Sequence, residues 1–194
     1  MKITGRNIKR RLYGLRNIPA NIKRARYFRG HGVHSPFVYA IVRGVFMCSK
    51  LYDDSATDLY DALLARGAAK RRATELQNLM THCRYQTFAI DCPIEQMQGV
   101  DLVIATTATA SEQLAQIAEQ ARQNKQTLCV MSPSLDSRRD KACREIVATH
   151  QCTSIDNRGY LLIFNNLSFI NSGSPFIWYE KMEHRKFFFL CSIL

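Results

Sequence analysis

The apolar positions after residue 56 switch between two spacings, and this switching predicts alternating helices and strands. Amphipathic spacing predicts helices over 58–66, 69–82, 109–124 and 135–150. Short apolar runs predict strands over 85–90, 100–105, 127–131, 152–155 and 160–164. Helices alternating with buried strands favour a parallel sheet covered on both faces, and the turn at 156–159 predicts a hairpin. The expected fold class is α/β, a Rossmann-like, mostly parallel sheet with an antiparallel C-terminal hairpin and a helical basic N-terminal extension.

The segment before this pattern predicts one buried helix with two histidines at its start. Ser35 suits an N-cap and Pro36 suits the first helical position, so we expect a helix from Pro36 to about Met47. His31 and His34 fall in the glycine-containing turn that leads into it. Helix N-termini favour anions, so the histidines could hold a phosphate. The alternative is that both imidazoles satisfy backbone groups around the cap.

Charge is concentrated at the N-terminus. Of the net +11, residues 1–52 contribute twelve Lys or Arg and no Asp or Glu, while the remaining chain is nearly balanced. We expect 1–52 to be the basic extension, 53–166 the α/β domain and 167–194 a tail. Such an arm attracts nucleic acid or an anionic surface, unless it is simply solvated. The residues expected to contact the anion are Lys9, Arg10, Arg11, Lys23, Arg24 and Arg26.

Cysteine usage and hydropathy indicate a chain of the reducing cytosol. Seven cysteines occur without a Cys-x-x-Cys pair, which argues against a disulfide scaffold and against zinc. No apolar run is long enough for a transmembrane helix, and no secretory signal is visible. We therefore expect a cytoplasmic protein with no bound metal, although the Arg-rich start also resembles an organellar transit peptide. The sequence does not predict an oligomeric state.

The segment Gly30-His31-Gly32-Val33-His34-Ser35-Pro36-Phe37 resembles the N-terminal motif of bacterial class I S-adenosylmethionine-dependent methyltransferase-like proteins, typical of Bacteroidetes. Later segments are similar in order: 100–104 resembles the fourth strand of that fold, 128–131 the fifth and 154–164 the closing antiparallel pair. The resemblance implies S-adenosylmethionine as cofactor. The cofactor-binding residues that it points to are Asp91, His31, Gly32, His34 and Ser35.

The chain departs from that family where the cofactor would bind. No glycine cluster follows any predicted strand, although glycines let the backbone approach such a ligand. Asp91 is the one strand-end acid available for the ribose, and a solvated aspartate is the alternative. Nine residues separate Asp91 from Asp101, too few for a helical crossover, so one strand–helix unit is expected to be missing. Ala105-Thr106-Thr107 after the next strand offers no obvious chemistry, and Arg138, Arg139 and Lys141 predict a solvated face.

Two functions follow from these observations, and a third interpretation is a structural or partner-binding relic of the enzyme fold. One is a divergent class I methyltransferase-like protein, active or inactive, that would transfer a methyl group from S-adenosylmethionine. The other is a non-enzymatic module that binds nucleic acid or an anionic surface through its basic arm. No catalytic residue is predicted for either.

Overall fold

In the computed structural model, the structure describes residues 35–149, 152–157 and 159–166, and the backbone of 188–190. The described residues up to Gln86 belong to one compact unit, and Thr87 to Leu190 belong to a second. The first unit is helical. Its helices are α1 (Pro36–Ile41), which continues as a π-helical segment over Val42–Phe46, α2 (Asp58–Ala65) and α3 (Lys70–Cys83).

Helix α1 begins where the sequence predicts. Pro36 is its first residue, and the Ser35 hydroxyl accepts a hydrogen bond from the Val38 amide at 3.3 Å. The predicted helix to about Met47 is confirmed in extent, but its second half adopts π geometry, with Met47 donating to the Val42 carbonyl. Its apolar residues are buried, as their spacing predicts: Val38, Ile41, Val42, Val45 and Phe46.

Helix α3 is the most deeply buried helix among the described residues of the first unit. Seven consecutive residues, 73–79, are buried, and three of them are amides or carboxylates that need partners. The Asn78 side chain accepts from the Tyr52 amide at 2.9 Å and donates to the Lys50 carbonyl at 2.8 Å. Gln77 accepts from the Tyr60 amide at 3.0 Å. These buried side chains therefore fix the connection between the first two helices.

The second unit is a six-stranded mixed sheet, consistent with a Rossmann-like fold. The strands lie in the order β1-β2-β3-β5-β4-β6, with three parallel and two antiparallel pairings. The predicted antiparallel hairpin of β4 and β5 is confirmed, but it does not form the edge of the sheet, because β6 pairs with β4 on the outer side. The strands are β1 (Phe88–Ile90), β2 (Leu102–Ala105), β3 (Thr127–Met131), β4 (Thr153–Asp156), β5 (Tyr160–Phe164) and β6 (Phe188–Leu190).

Both crossover helices pack on the same face of the sheet. Helices α4 (Leu114–Gln123) and α5 (Ser137–Thr149) join a core with inward residues of β2, β3 and β5. The chain moves in one direction across the sheet, from β2 to β3 and then to β4. Right-handed connections between these strands therefore place both helices on one face of the sheet. Every residue of β2 and β5 is buried, so the opposite face is also shielded from solvent.

The connection between β1 and β2 carries no α-helix. The two strands pair directly in parallel, and 91–101 contains one 3-10 turn, Ile94–Gln96. The short connection therefore has no helical crossover, as its length predicts. Thr87 and Asp101 directly precede β1 and β2. The Thr87 hydroxyl donates to the Asp101 carboxylate and accepts from the Asp101 amide.

Candidate functional site

The predicted anion-binding residues fall almost entirely outside the described chain. Of the cofactor-binding residues predicted in the histidine-containing motif, only Ser35 is described, and its hydroxyl accepts a hydrogen bond from the Val38 amide. Its backbone φ of −82° and ψ of 113° are extended, as an N-cap requires. The remaining predicted residues lie outside the described residues: His31, Gly32, His34, Lys9, Arg10, Arg11, Lys23, Arg24 and Arg26.

Asp91 lies at the carboxyl end of β1, the edge where open parallel sheets bind ligands. Its carboxylate accepts three hydrogen bonds from the loop that follows β2. The Thr106 amide donates to Oδ1 at 2.7 Å and its hydroxyl donates to Oδ2 at 2.6 Å. The Thr109 hydroxyl donates to Oδ1 at 2.5 Å. Asp91 is an exposed residue, but its two oxygens are engaged by the protein itself.

The backbone at Asp91 directs the carboxylate toward this loop. Asp91 has a φ of +50°, in the left-handed region that aspartate tolerates better than most residues. Its amide still donates to the Ile104 carbonyl at 2.9 Å, which extends the ladder between β1 and β2. The Thr106 hydroxyl also accepts from the Ala108 amide at 3.1 Å. Thr106 is therefore a structural partner of Asp91, a role that its sequence position does not indicate.

Arg139 of α5 contacts the carboxyl ends of β2 and β3 at the same edge of the sheet. The residue is 1% exposed, so the prediction that it belongs to a solvated face is wrong. Its guanidinium donates to the carbonyls of Ala105 at 3.2 Å, Thr106 at 2.7 Å, Thr109 at 2.9 Å and Met131 at 3.2 Å. Arg139 thus ties the ends of β2 and β3 to the loop that holds Asp91.

The pKa of Arg139 reflects both its burial and the charged groups near it. Burial lowers the pKa of Arg139, and the nearby carboxylates of Asp136 and Asp91 oppose that shift. Carbonyl oxygens are the polar partners that a buried guanidinium requires. Burial in turn raises the pKa of Cys143 to about 12, with Arg139 acting in the opposite direction. The thiol beside this cation therefore stays protonated and is a poor nucleophile.

The turn after β3 precedes a helix, a position at which backbone amides can bind an anion, but its Ser132 amide is already bonded within the protein. The Ser132 amide donates to the Gly159 carbonyl at 2.7 Å, and its φ is +50°. Asp136 caps α5 by accepting from the Arg139 amide at 2.9 Å. The Ser132 amide is therefore not available to an anion.

One signal in the sequence could have identified Arg139. Arg139, Cys143 and Ile146 are spaced i, i+4 and i+7, so the arginine shares one helix face with two apolar residues. Arg138 and Lys141 lie on exposed positions, as predicted. No signal in the sequence indicates that the two threonines serve Asp91, because that contact depends on the pairing of β1 with β2.

No protein-family model, curated protein or solved structure matches this chain. Within the described residues, no helix has the length and apolarity needed to cross a membrane. The same part of the chain contains no group of three or more His, Cys, Asp or Glu placed to hold a metal ion. The six described cysteines are free thiols.

Proposed function

We propose that this chain is a divergent, methyltransferase-like Rossmann protein that does not bind S-adenosylmethionine and functions as a non-enzymatic module. In this proposal its basic N-terminal arm binds a polyanionic partner, either nucleic acid or an anionic surface. The observation that carries the proposal is the carboxylate of Asp91, whose two oxygens accept three hydrogen bonds from Thr106 and Thr109.

The strand order supports descent from a doubly wound sheet. In the order 3-2-1-4-5-6, the first strand neighbours the fourth. If β2 corresponds to the fourth strand, its neighbour β1 takes the first-strand position. Strands two and three then have no counterpart in the described part of the sheet, where β1 forms the edge. On this assignment two strand units are missing instead of the single unit expected from the sequence.

The residues at this edge do not fit S-adenosylmethionine. A ribose needs a carboxylate with free acceptor positions, and the Asp91 carboxylate has used three of about four. The chain after β1 reads Asp91-Cys92-Pro93, without the glycines that permit close approach of a ligand. Burial raises the pKa of the Cys92 thiol, which argues against a thiolate at that position. We therefore derive no catalytic step through this cofactor.

The charge distribution supports a polyanionic partner. Residues 1–52 hold twelve cationic side chains and no acidic one. The cations of α5, by contrast, lie near acids of the same chain: Arg144 Nη2 lies 3.0 Å from Asp140 and Lys141 Nζ lies 3.7 Å from Glu145. The unbalanced positive charge is therefore concentrated in the first quarter of the chain. Neutralising phosphates with such charges makes binding steeply dependent on salt.

The test measures duplex DNA binding and cofactor binding on the full chain. Calorimetry with S-adenosylmethionine and S-adenosylhomocysteine at millimolar concentration should detect no binding. Duplex binding should weaken steeply with salt, and replacing Lys9, Arg10 and Arg11 by Ala should reduce the salt slope by about 2–3. A matched control replaces three exposed cations of α5, Arg138, Lys141 and Arg144, and should leave the slope unchanged.

Two results would overturn the proposal. Micromolar binding of either cofactor would restore the methyltransferase hypothesis, which the exposed position of Asp91 at a carboxyl strand end favours. Equal loss of duplex binding in the arm variant and the α5 control would show that the arm has no special role.

A further inference from the structure

One side of α3 contacts the segment 42–52 at two points that are one helical turn apart. Asn78 and His82 are spaced i and i+4, so they lie on the same side of the helix. Asn78 makes two hydrogen bonds to the segment, one of them from the Tyr52 amide at 2.9 Å. His82 contacts the π-helical part of the same segment at Gly44. The two contacts together dock one continuous stretch of chain onto α3.

The contact at Gly44 brings an imidazole and a phenol to the helix backbone. A Cβ placed on Gly44 would lie 3.3 Å from Cε1 and 3.4 Å from Nδ1 of His82, and 3.1 Å from the Tyr52 hydroxyl. Tyr52 takes part in both contacts, because its amide bonds to Asn78 while its hydroxyl lies at this point. Displacing the imidazole from Gly44 therefore also disturbs the position of Tyr52.

His82 has no partner that could stabilise a positive charge. The residue is half-buried, and in the described part of the chain its ring makes no hydrogen bond or ion pair. Burial lowers the pKa of His82, and no nearby charge contributes to that shift. The phenol at Gly44 is not an anion either, because burial and the hydrogen bond from Cys48 raise the pKa of Tyr52 to about 12.

The charged groups around this contact point elsewhere or are already paired. The charged side chains of the segment and of α2, which also packs on α3, are all exposed: Arg43, Lys50, Asp58 and Asp61. On α3 itself, the Glu75 carboxylate pairs with Arg71 and Arg72. A protonated His82 therefore has no acid to compensate it in the docked arrangement.

We propose that His82 makes the docking of the segment 42–52 on α3 sensitive to pH, so that acid releases the segment from the helix. In the docked form the protonated ring is a half-buried cation against backbone atoms, which is unfavourable. In the open form water solvates the ring, and its pKa returns to the ordinary value of 6.5. The open form therefore binds more protons, and its population rises as the pH falls below that value. This inference is independent of the polyanionic partner proposed above.

The experiment measures hydrogen exchange of the Tyr52 amide by NMR, with the 15N-labelled full chain between pH 7.5 and 5. The protection factor, which relates each rate to the intrinsic rate at that pH, reports opening of the bond to Asn78. In the parent it should fall by about threefold to tenfold over this range. His82→Phe keeps a ring against Gly44 without a titratable nitrogen, and His82→Gln removes the ring as well, so neither should show the fall. His150→Gln is the control and should respond like the parent.

The parent alone also tests the inference. The fall should begin near pH 6.5 and level off below the pH at which the His82 ring resonance titrates. A protection factor that does not change with pH, or one that falls outside this window, would overturn the inference. A fall of equal size in either folded His82 variant, as verified by circular dichroism, would also overturn it. So would a Tyr52 amide as strongly protected as the Leu79 amide of α3 at every pH, because the segment would then open only when the helix unfolds.

Discussion

Substitution of Arg139 is the most direct way to perturb the carboxyl edge of the sheet. Replacing it by Met keeps most of the side-chain volume and removes every donor. Four carbonyl oxygens then lose a partner, among them those of Ala105 and Thr106 at the end of β2. The site is 1% exposed, so solvent cannot replace the lost donors without rearrangement of the loop.

The expected loss of stability is large. A hydrogen bond to a charged donor contributes about 1.5–3 kcal/mol, and four such bonds would exceed the usual effect of one mutation. The desolvation of the guanidinium, several kcal/mol, offsets part of that gain. We therefore expect Arg139→Met to lower the free energy of unfolding by about 3–5 kcal/mol. Arg139→Lys should retain part of the stability, because an ammonium keeps the charge but lacks the planar fork.

Urea denaturation followed by circular dichroism measures this loss, and hydrogen exchange locates it. Arg138→Met is the matched control, because its side chain is 84% exposed and lies 3.8 Å from Glu112. The control should change stability by less than about 0.5 kcal/mol. Exchange should accelerate in peptides that cover β2 and the loop at 106–109. A loss below about 1 kcal/mol for Arg139→Met would refute the argument that its four carbonyl contacts hold the edge together.

Three further predictions concern single contacts. Thr106→Val and Thr109→Val should each destabilise by about 1 kcal/mol in urea, because each removes a hydroxyl donor to Asp91, whereas Thr107→Val should change little. Asn78→Ala should cost about 1–3 kcal/mol, since it leaves the Tyr52 amide and Lys50 carbonyl without their partner; an unchanged urea midpoint would contradict this. Burial lowers the pKa of His82 below its usual 6.5, so the unfolded chain binds more protons and stability should fall as the pH drops below that value. His82→Gln should remove that share of the pH dependence between pH 7.5 and 5.5, and an identical pH dependence in both proteins would show the assignment to be wrong.

The sequence predicts the elements well where one physical signal dominates. The strands 127–131 and 160–164 are confirmed to the residue, because both are continuous apolar runs bounded by polar turns. The start of α1 is confirmed because Ser35 and Pro36 act locally. Strand β1 is shorter than predicted, Phe88–Ile90 against 85–90, since its length depends on pairing with β2.

Topology and the candidate site were harder to predict, because both depend on long-range pairing. The hairpin turn predicts that β4 and β5 are adjacent, but not that β5 inserts beside β3. A sixth strand, β6, occurs in the segment that the sequence treated as a tail. Asp91 was identified from its position after a strand, whereas its closure by Thr106 and the burial of Arg139 follow only from the folded arrangement.

The carboxyl edge of the parallel strands is closed by the protein's own side chains. The most direct measurement is a titration of 15N-labelled protein with S-adenosylhomocysteine to millimolar concentration, observed at the amides of Thr106 and Ala108. These amides donate to Asp91 and to the Thr106 hydroxyl, so any ligand that takes the carboxylate must shift them. The account predicts unchanged resonances throughout the titration. Saturable shifts of both amides with a micromolar Kd would contradict it.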